Sequence, residues 1–193
     1  GEALYLAADF TNALTALQAV IDQNDGDALA ARAHYFLGDI FTQQQRYEDA
    51  LAQLKIYRER TRVLRGVIDR EIGDVLLASG DSAAAIKQYE AASQDPAFTP
   101  AQRVAVLKKI AEVYTARAEP QLAAVRLGEA FKIAPDDATR ANVEFLWGES
   151  LYAAEETDAA IQHWKHALAT YTLTAGAHQS VAKMVELEVP NIN

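Results

Sequence analysis

A small residue returns at Gly38, Gly73, Ala111 and Gly148, at spacings of 35, 38 and 37 residues, and its neighbours return with it. Twelve residues after each comes Ala50, Ala85, Ala123 or Ala160, and four further on comes Leu54, Tyr89, Leu127 or Trp164. A bulky residue precedes each small one (Leu37, Ile72, Ile110, Trp147), and another follows three places later (Phe41, Leu76, Tyr114, Leu151). On a helix, positions three and four apart share a stripe, so each unit reads as two helices with one apolar stripe apiece. Ala141 to Thr170, which holds both tryptophans, is the clearest such hairpin. A period in this range means a solenoid of helix pairs, because no single pair can bury its stripes alone.

Composition agrees. Alanine dominates, and the 193 residues include only five prolines and nine glycines, which suits long helices better than many short strands. The spacing of the glycines carries further meaning. A mid-helix Gly costs about 1 kcal/mol relative to Ala, so its recurrence in register predicts close helix approach, and Gly148→Leu is expected to destabilise the chain by steric strain.

Punctuation follows the same frame. Thr99-Pro100-Ala101-Gln102 has the pattern of an N-cap, a proline at the first helical position and a capping-box glutamine. Gly80-Asp81, Glu119-Pro120, Pro135-Asp136 and Thr157-Asp158 separate further helices, giving an expected ten or eleven. Ala175 to Val189 places Ala177, Val181 and Met184 on one face and His178, Lys183 and Glu186 largely on another, as in a cap helix or the first helix of a further pair.

With these columns in place, the chain resembles the tetratricopeptide repeat family, whose motif alternates bulky and small residues over two antiparallel helices. The resemblance covers full repeats at 31–62, 66–97, 104–135 and 141–172, a partial repeat at 1–26 marked by Leu4, Phe10, Ala13 and Leu17, and the segment 175–189. It departs from the motif at Glu59-Arg60-Thr61, where no proline makes the turn, and in the long loops behind the spacings of 37 and 38. It implies an all-α fold, a right-handed α-solenoid of antiparallel helix pairs in one domain over residues 1–193. It also implies a non-catalytic scaffold that binds a protein or peptide segment in a concave groove lined by the first helix of each pair.

The groove face can be followed by register. One place after each small residue stands a carboxylate, Asp39, Asp74, Glu112 and Glu149, and four places earlier stand Tyr35, Arg70, Lys108 and Phe145. As a solvated face, Arg70–Asp74 and Lys108–Glu112 are ordinary pairs four apart, worth about 0.2 to 0.5 kcal/mol each. As a groove, Tyr35 with Asp39, and Phe145 with Glu149 and Tyr152, offer exposed aromatic surface beside unpaired carboxylates, suited to a peptide with apolar and basic side chains. Chaperone-type members of the resembling family clamp a C-terminal carboxylate with Lys, Arg and Asn on these helices. Here four carboxylates oppose such a ligand, and only Asn142 echoes the clamp.

The net charge of −9 and pI near 4.9 have the wrong sign for neutralising phosphates, so nucleic acid is not expected as a partner. No apolar run approaches the roughly 18 residues of a membrane-spanning helix. Cysteine is absent, which removes disulfides and thiolate ligands and leaves the compartment, cytoplasmic or extracytoplasmic, open. Lys55, Arg58, Arg60, Arg62 and Arg65 form a basic run that reads either as a solvated helix end or as a contact for an acidic partner. His163 and His166 sit three apart on a helix, but spacing offers no third ligand, and no metal or cofactor is expected. No phosphate-binding loop, nucleophile elbow or His-Glu-x-x-His motif occurs, so no catalytic residue is assigned. The start at Gly1 without Met leads to the expectation of a piece of a longer protein, in which the repeats act as a free-standing scaffold, as an accessory domain of a larger enzyme or envelope assembly, or in self-association through the end repeats.

Overall fold

The computed structural model describes residues 1–24, 27–61, 63–190 and 192. Eleven helices and no strand are found among them. The chain divides into two compact units, Gly1–Ala97 and Phe98–Asn193.

The first unit holds α1 (Glu2–Leu6), α2 (Phe10–Asn24), α3 (Ala28–Gln43), α4 (Tyr47–Arg60), α5 (Arg65–Ala78) and α6 (Ser82–Ser93). Each helix packs on the next, and α1 also touches α3. Ala13 and Leu17 of α2 meet Ala33, Leu37 and Ile40 of α3 in one cluster, while Ala50 and Leu54 of α4 meet Ile68, Ile72 and Val75 of α5 in another. At the start of the chain α1 and α2 form a short hairpin packed on α3.

The second unit holds α7 (Pro100–Ala116), α8 (Pro120–Ile133), α9 (Asp137–Ala153), α10 (Thr157–Thr170) and α11 (Ala175–Glu186). Consecutive helices pack from α7 to α11, and α11 also lies on α9. Thr99 and Gln102 form the expected capping box ahead of α7, and Asp136 caps α9 through the Thr139 amide. Ala160 and Trp164 of α10 are fully buried with Met184 of α11.

The small column closes each hairpin. A methyl group on Gly38 would stand 2.8 Å from the Leu54 side chain, one on Gly73 2.6 Å from Tyr89, and one on Gly148 2.3 Å from Trp164 Nε1. Each partner lies sixteen positions after its glycine, so a side chain of the second helix fills the notch in the first. Gly1 extends the column, since a methyl there would meet Leu17 at 2.7 Å.

A second regularity lies in the turns. Seven places after the small residue the backbone enters the left-handed region at Ala8, Gln45, Gly80, Ala118 and Glu155. The next amide then reaches back to close the helix, from Asp9 to the Leu4 carbonyl, Arg46 to Phe41, Asp81 to Leu76, Glu119 to Tyr114 and Glu156 to Leu151. This is the Schellman closure, in which a left-handed residue satisfies carbonyls that the helix end would leave bare. Glu188 and the Val189-to-Met184 bond repeat it after α11, so α11 ends in the manner of the first helix of a pair.

Candidate functional site

Inside the hairpins, three polar pairs share one register. His34 Nδ1 lies 2.7 Å from Gln53 Oε1, Gln88 donates to Asp69 at 2.7 Å, and His163 Nδ1 lies 3.3 Å from Glu144 Oε1. His34, Asp69 and Glu144 are buried, as is Leu107 at the corresponding place of the hairpin between them. Arg58 of the basic run turns inward and binds Asp69, and this bond holds the guanidinium's pKa above its ordinary value. That residue is thereby used within the fold, and Arg62 lies outside the described residues. His166 Nδ1 is 2.8 Å from Glu144 Oε1, so both histidines named for metal share one buried carboxylate. Among the described residues, no group of three such side chains has the arrangement to hold a metal ion.

The first helices carry the register residues. In the first unit a cleft of about 200 Å³ lies between α3 and α5, lined by Tyr35, Asp39, Thr42, Leu54, Glu71, Asp74 and Val75. Its carboxylates are not unpaired. Asp39 accepts from Tyr5 Oη at 2.5 Å and from Gln43 at 2.7 Å, Glu71 accepts from Tyr35 Oη at 3.3 Å, and Asp74 accepts from the buried Tyr89 at 2.6 Å. Tyr5 and Gln43 take up the Asp39 carboxylate that the groove reading had left to a ligand, and Asp74, there paired with Arg70, accepts from Tyr89 instead. The bond to Asp39 pushes the Tyr5 hydroxyl up to about 12, and burial, followed by the charge of Glu71, pushes Tyr35 up to about 12. Burial likewise raises Glu71. Tyr35 is half-buried against Phe36 and Tyr57, while Arg70 is exposed and leaves Asp74 to Tyr89.

In the second unit a cleft of about 510 Å³ lies between α7 and α9, lined by Lys108, Ala111, Glu112, Thr115, Ala116, Leu127, Leu146, Glu149, Ser150 and Ala153. Lys108 donates to Asn142 at 2.6 Å across the two helices rather than to Glu112. Phe145 is half-buried because its ring packs against the core, and its backbone carbonyl receives Trp164 Nε1 at 3.2 Å. Tyr152 is exposed, with Lys183 Nζ 5.5 Å from its ring centre. Glu149 has one oxygen 3.9 Å from Lys183 Nζ, and burial raises its pKa.

Tyr5, Glu71, Gln43 and Lys183 were missed by sequence reasoning. Glu71 stands two places before the small residue Gly73, outside the register followed in the sequence, and its tertiary partner Tyr35 ties it to the cleft. For Tyr5, the signal was available, since it sits four places after Gly1 in the extended column.

The family model of a tetratricopeptide repeat-like domain matches residues 2–109. Among solved structures, MamA matches with TM-score 0.67 and 16% identity, over 96% of this chain and 96% of that one. The C-terminal part of a TPR repeat-containing protein from Cytophaga hutchinsonii matches with TM-score 0.68 and 14% identity, over 99% of this chain and 72% of that one. No curated protein matches the sequence. At these identities the structural likeness speaks to the fold, which is an all-α helical-repeat solenoid. Among the described residues, no helix is long and apolar enough to cross a membrane.

Proposed function

We infer that this chain, which belongs to the tetratricopeptide repeat-like domain family, works as a non-catalytic scaffold that binds a protein segment along the first helices of its hairpins. The family relation supports protein–protein interaction as the general role. One observation carries the finer reading: the second helices spend their small and bulky columns on closing hairpins, while the facing first helices leave clefts, of which that between α7 and α9 is walled largely by Ala111, Ala116, Leu127, Leu146 and Ala153. Apolar concavity with a few polar groups at its edges is the usual form of a recognition site.

The test is site-resolved crosslinking in cells that make the protein. A photoreactive phenylalanine replaces Leu146 in the cleft or, separately, Val125, which is 57% exposed on α8. Protein adducts at position 146 that vanish with Ala116→Arg, an exposed change in the cleft lining, are the expected result. Adducts confined to position 125 would overturn the groove reading.

A further inference from the structure

The clefts of the two units differ in what they leave unsatisfied. In the first, Tyr5, Tyr35 and Tyr89 each donate to a carboxylate, and about 200 Å³ remains. In the second, about 510 Å³ lies between walls that are mostly hydrocarbon. The polar groups of that cleft are ordered along its helices. Lys108 and Asn142 stand together at one end, Glu112 and Glu149 midway, and Thr115, Ala116 and Ala153 towards the other.

The two carboxylates midway are under-used. Glu112 is exposed and, among the described residues, makes no hydrogen bond or ion pair. Glu149 has its Oε1 shut off from solvent with no hydrogen-bond donor, and its other oxygen is 3.9 Å from Lys183 Nζ, long for a hydrogen bond. A desolvated carboxylate oxygen without a donor is costly, and burial accordingly raises the Glu149 pKa. The side chain is nonetheless 36% exposed and already lines the cleft. Lys108 of the lining is held by Asn142 at the far end.

We propose that the cleft between α7 and α9 receives a lysine or arginine side chain from an extended partner segment, its methylenes along Leu127 and Leu146 and its cationic head between Glu112 and Glu149. A basic side chain has the required form, an apolar stem ending in donors, and it buries the stem while keeping the head among polar groups. An acidic side chain would place charge against two carboxylates, and a purely aliphatic one would leave the Glu149 oxygen without a donor. Lys108 then faces backbone carbonyls of the same segment. The proposal rests on the protein-binding reading above and specifies its ligand.

The test selects a phage-displayed random linear-peptide library on the full chain, then titrates enriched peptides by fluorescence anisotropy. Wild type is compared with Glu112→Gln/Glu149→Gln, with Leu146→Arg, and with Glu48→Gln, an exposed change on α4, after circular dichroism shows all four folded. The expected result is enrichment of Lys or Arg beside apolar residues, binding weakened about tenfold by the double Gln variant, and no effect of Glu48→Gln. Acidic or uncharged peptides that still depend on Leu146 would overturn the proposal while leaving groove binding intact. Peptides indifferent to Leu146→Arg would overturn both, and a library that yields no enriched peptide overturns the proposal as well.

Discussion

Gly148→Ala adds one methyl group at the tightest of the hairpin contacts. The new carbon would stand 2.3 Å from Trp164 Nε1, 2.7 Å from Cδ1 and 2.8 Å from Cε2, all inside contact distance. Trp164 is fully buried and its Nε1 donates to the Phe145 carbonyl, so the indole has no free direction in which to withdraw. Overpacking of a filled core costs about 1 to 3 kcal/mol, and a lost hydrogen bond about 0.5 to 1.5 kcal/mol. Against this, Ala gains about 1 kcal/mol over Gly as a helix former. The net is a loss of about 2 kcal/mol, which for a chain of this size lowers Tm by about 4 to 8 °C. Circular dichroism melting measures the loss, and tryptophan fluorescence reports whether the Trp164 environment shifts. Leu at the same position is expected to cost more. A Gly148→Ala protein that melts at or above the wild-type temperature would refute the argument that the small column exists to admit the partner side chain.

Three further outcomes follow from the geometry. Ala118 holds φ 56, so Ala118→Gly is expected to stabilise by about 0.5 to 1 kcal/mol in denaturant titration, the reverse of the usual penalty for glycine. Asp69→Ala strips both Arg58 and Gln88 of their acceptor; the cost of breaking a buried pair is lessened because the Arg58 side chain is 35% exposed, and a loss of about 2 kcal/mol is expected in the same assay. Tyr5 and Tyr35 are both pushed up to about 12, so the contribution of their neutral forms is complete below pH 10 and is lost as pH rises towards 12. The alkaline decline in Tm between those limits should shrink in Tyr5→Phe/Tyr35→Phe.

The fold was legible because it rests on side-chain volume. Gly38 with Leu54, Gly73 with Tyr89 and Gly148 with Trp164 are complementary shapes, and shape recurs in the order of residues whether or not the partner is known. The site was legible only in part, because it rests on which donor faces which acceptor. Asp39 and Asp74 stood in a visible register, but the tyrosines that occupy them come from positions 34 residues before and 15 residues after. Phe145 was placed on the right helix, yet whether a ring at that position faces solvent or core depends on the neighbouring helices. Glu144 drew no attention in the sequence, because only the fold shows that this acid is buried beside two histidines.

The left-handed turn residue is Ala, Gln, Gly, Ala and Glu in five successive hairpins, so the reversal is imposed by the packed helices on either side rather than chosen by the residue that makes it. A position that must obey a shape accepts several side chains, with glycine the one that meets the left-handed backbone with least strain. Each of these turns is exposed, so each offers a place where a charge or a label can be introduced without touching the buried columns.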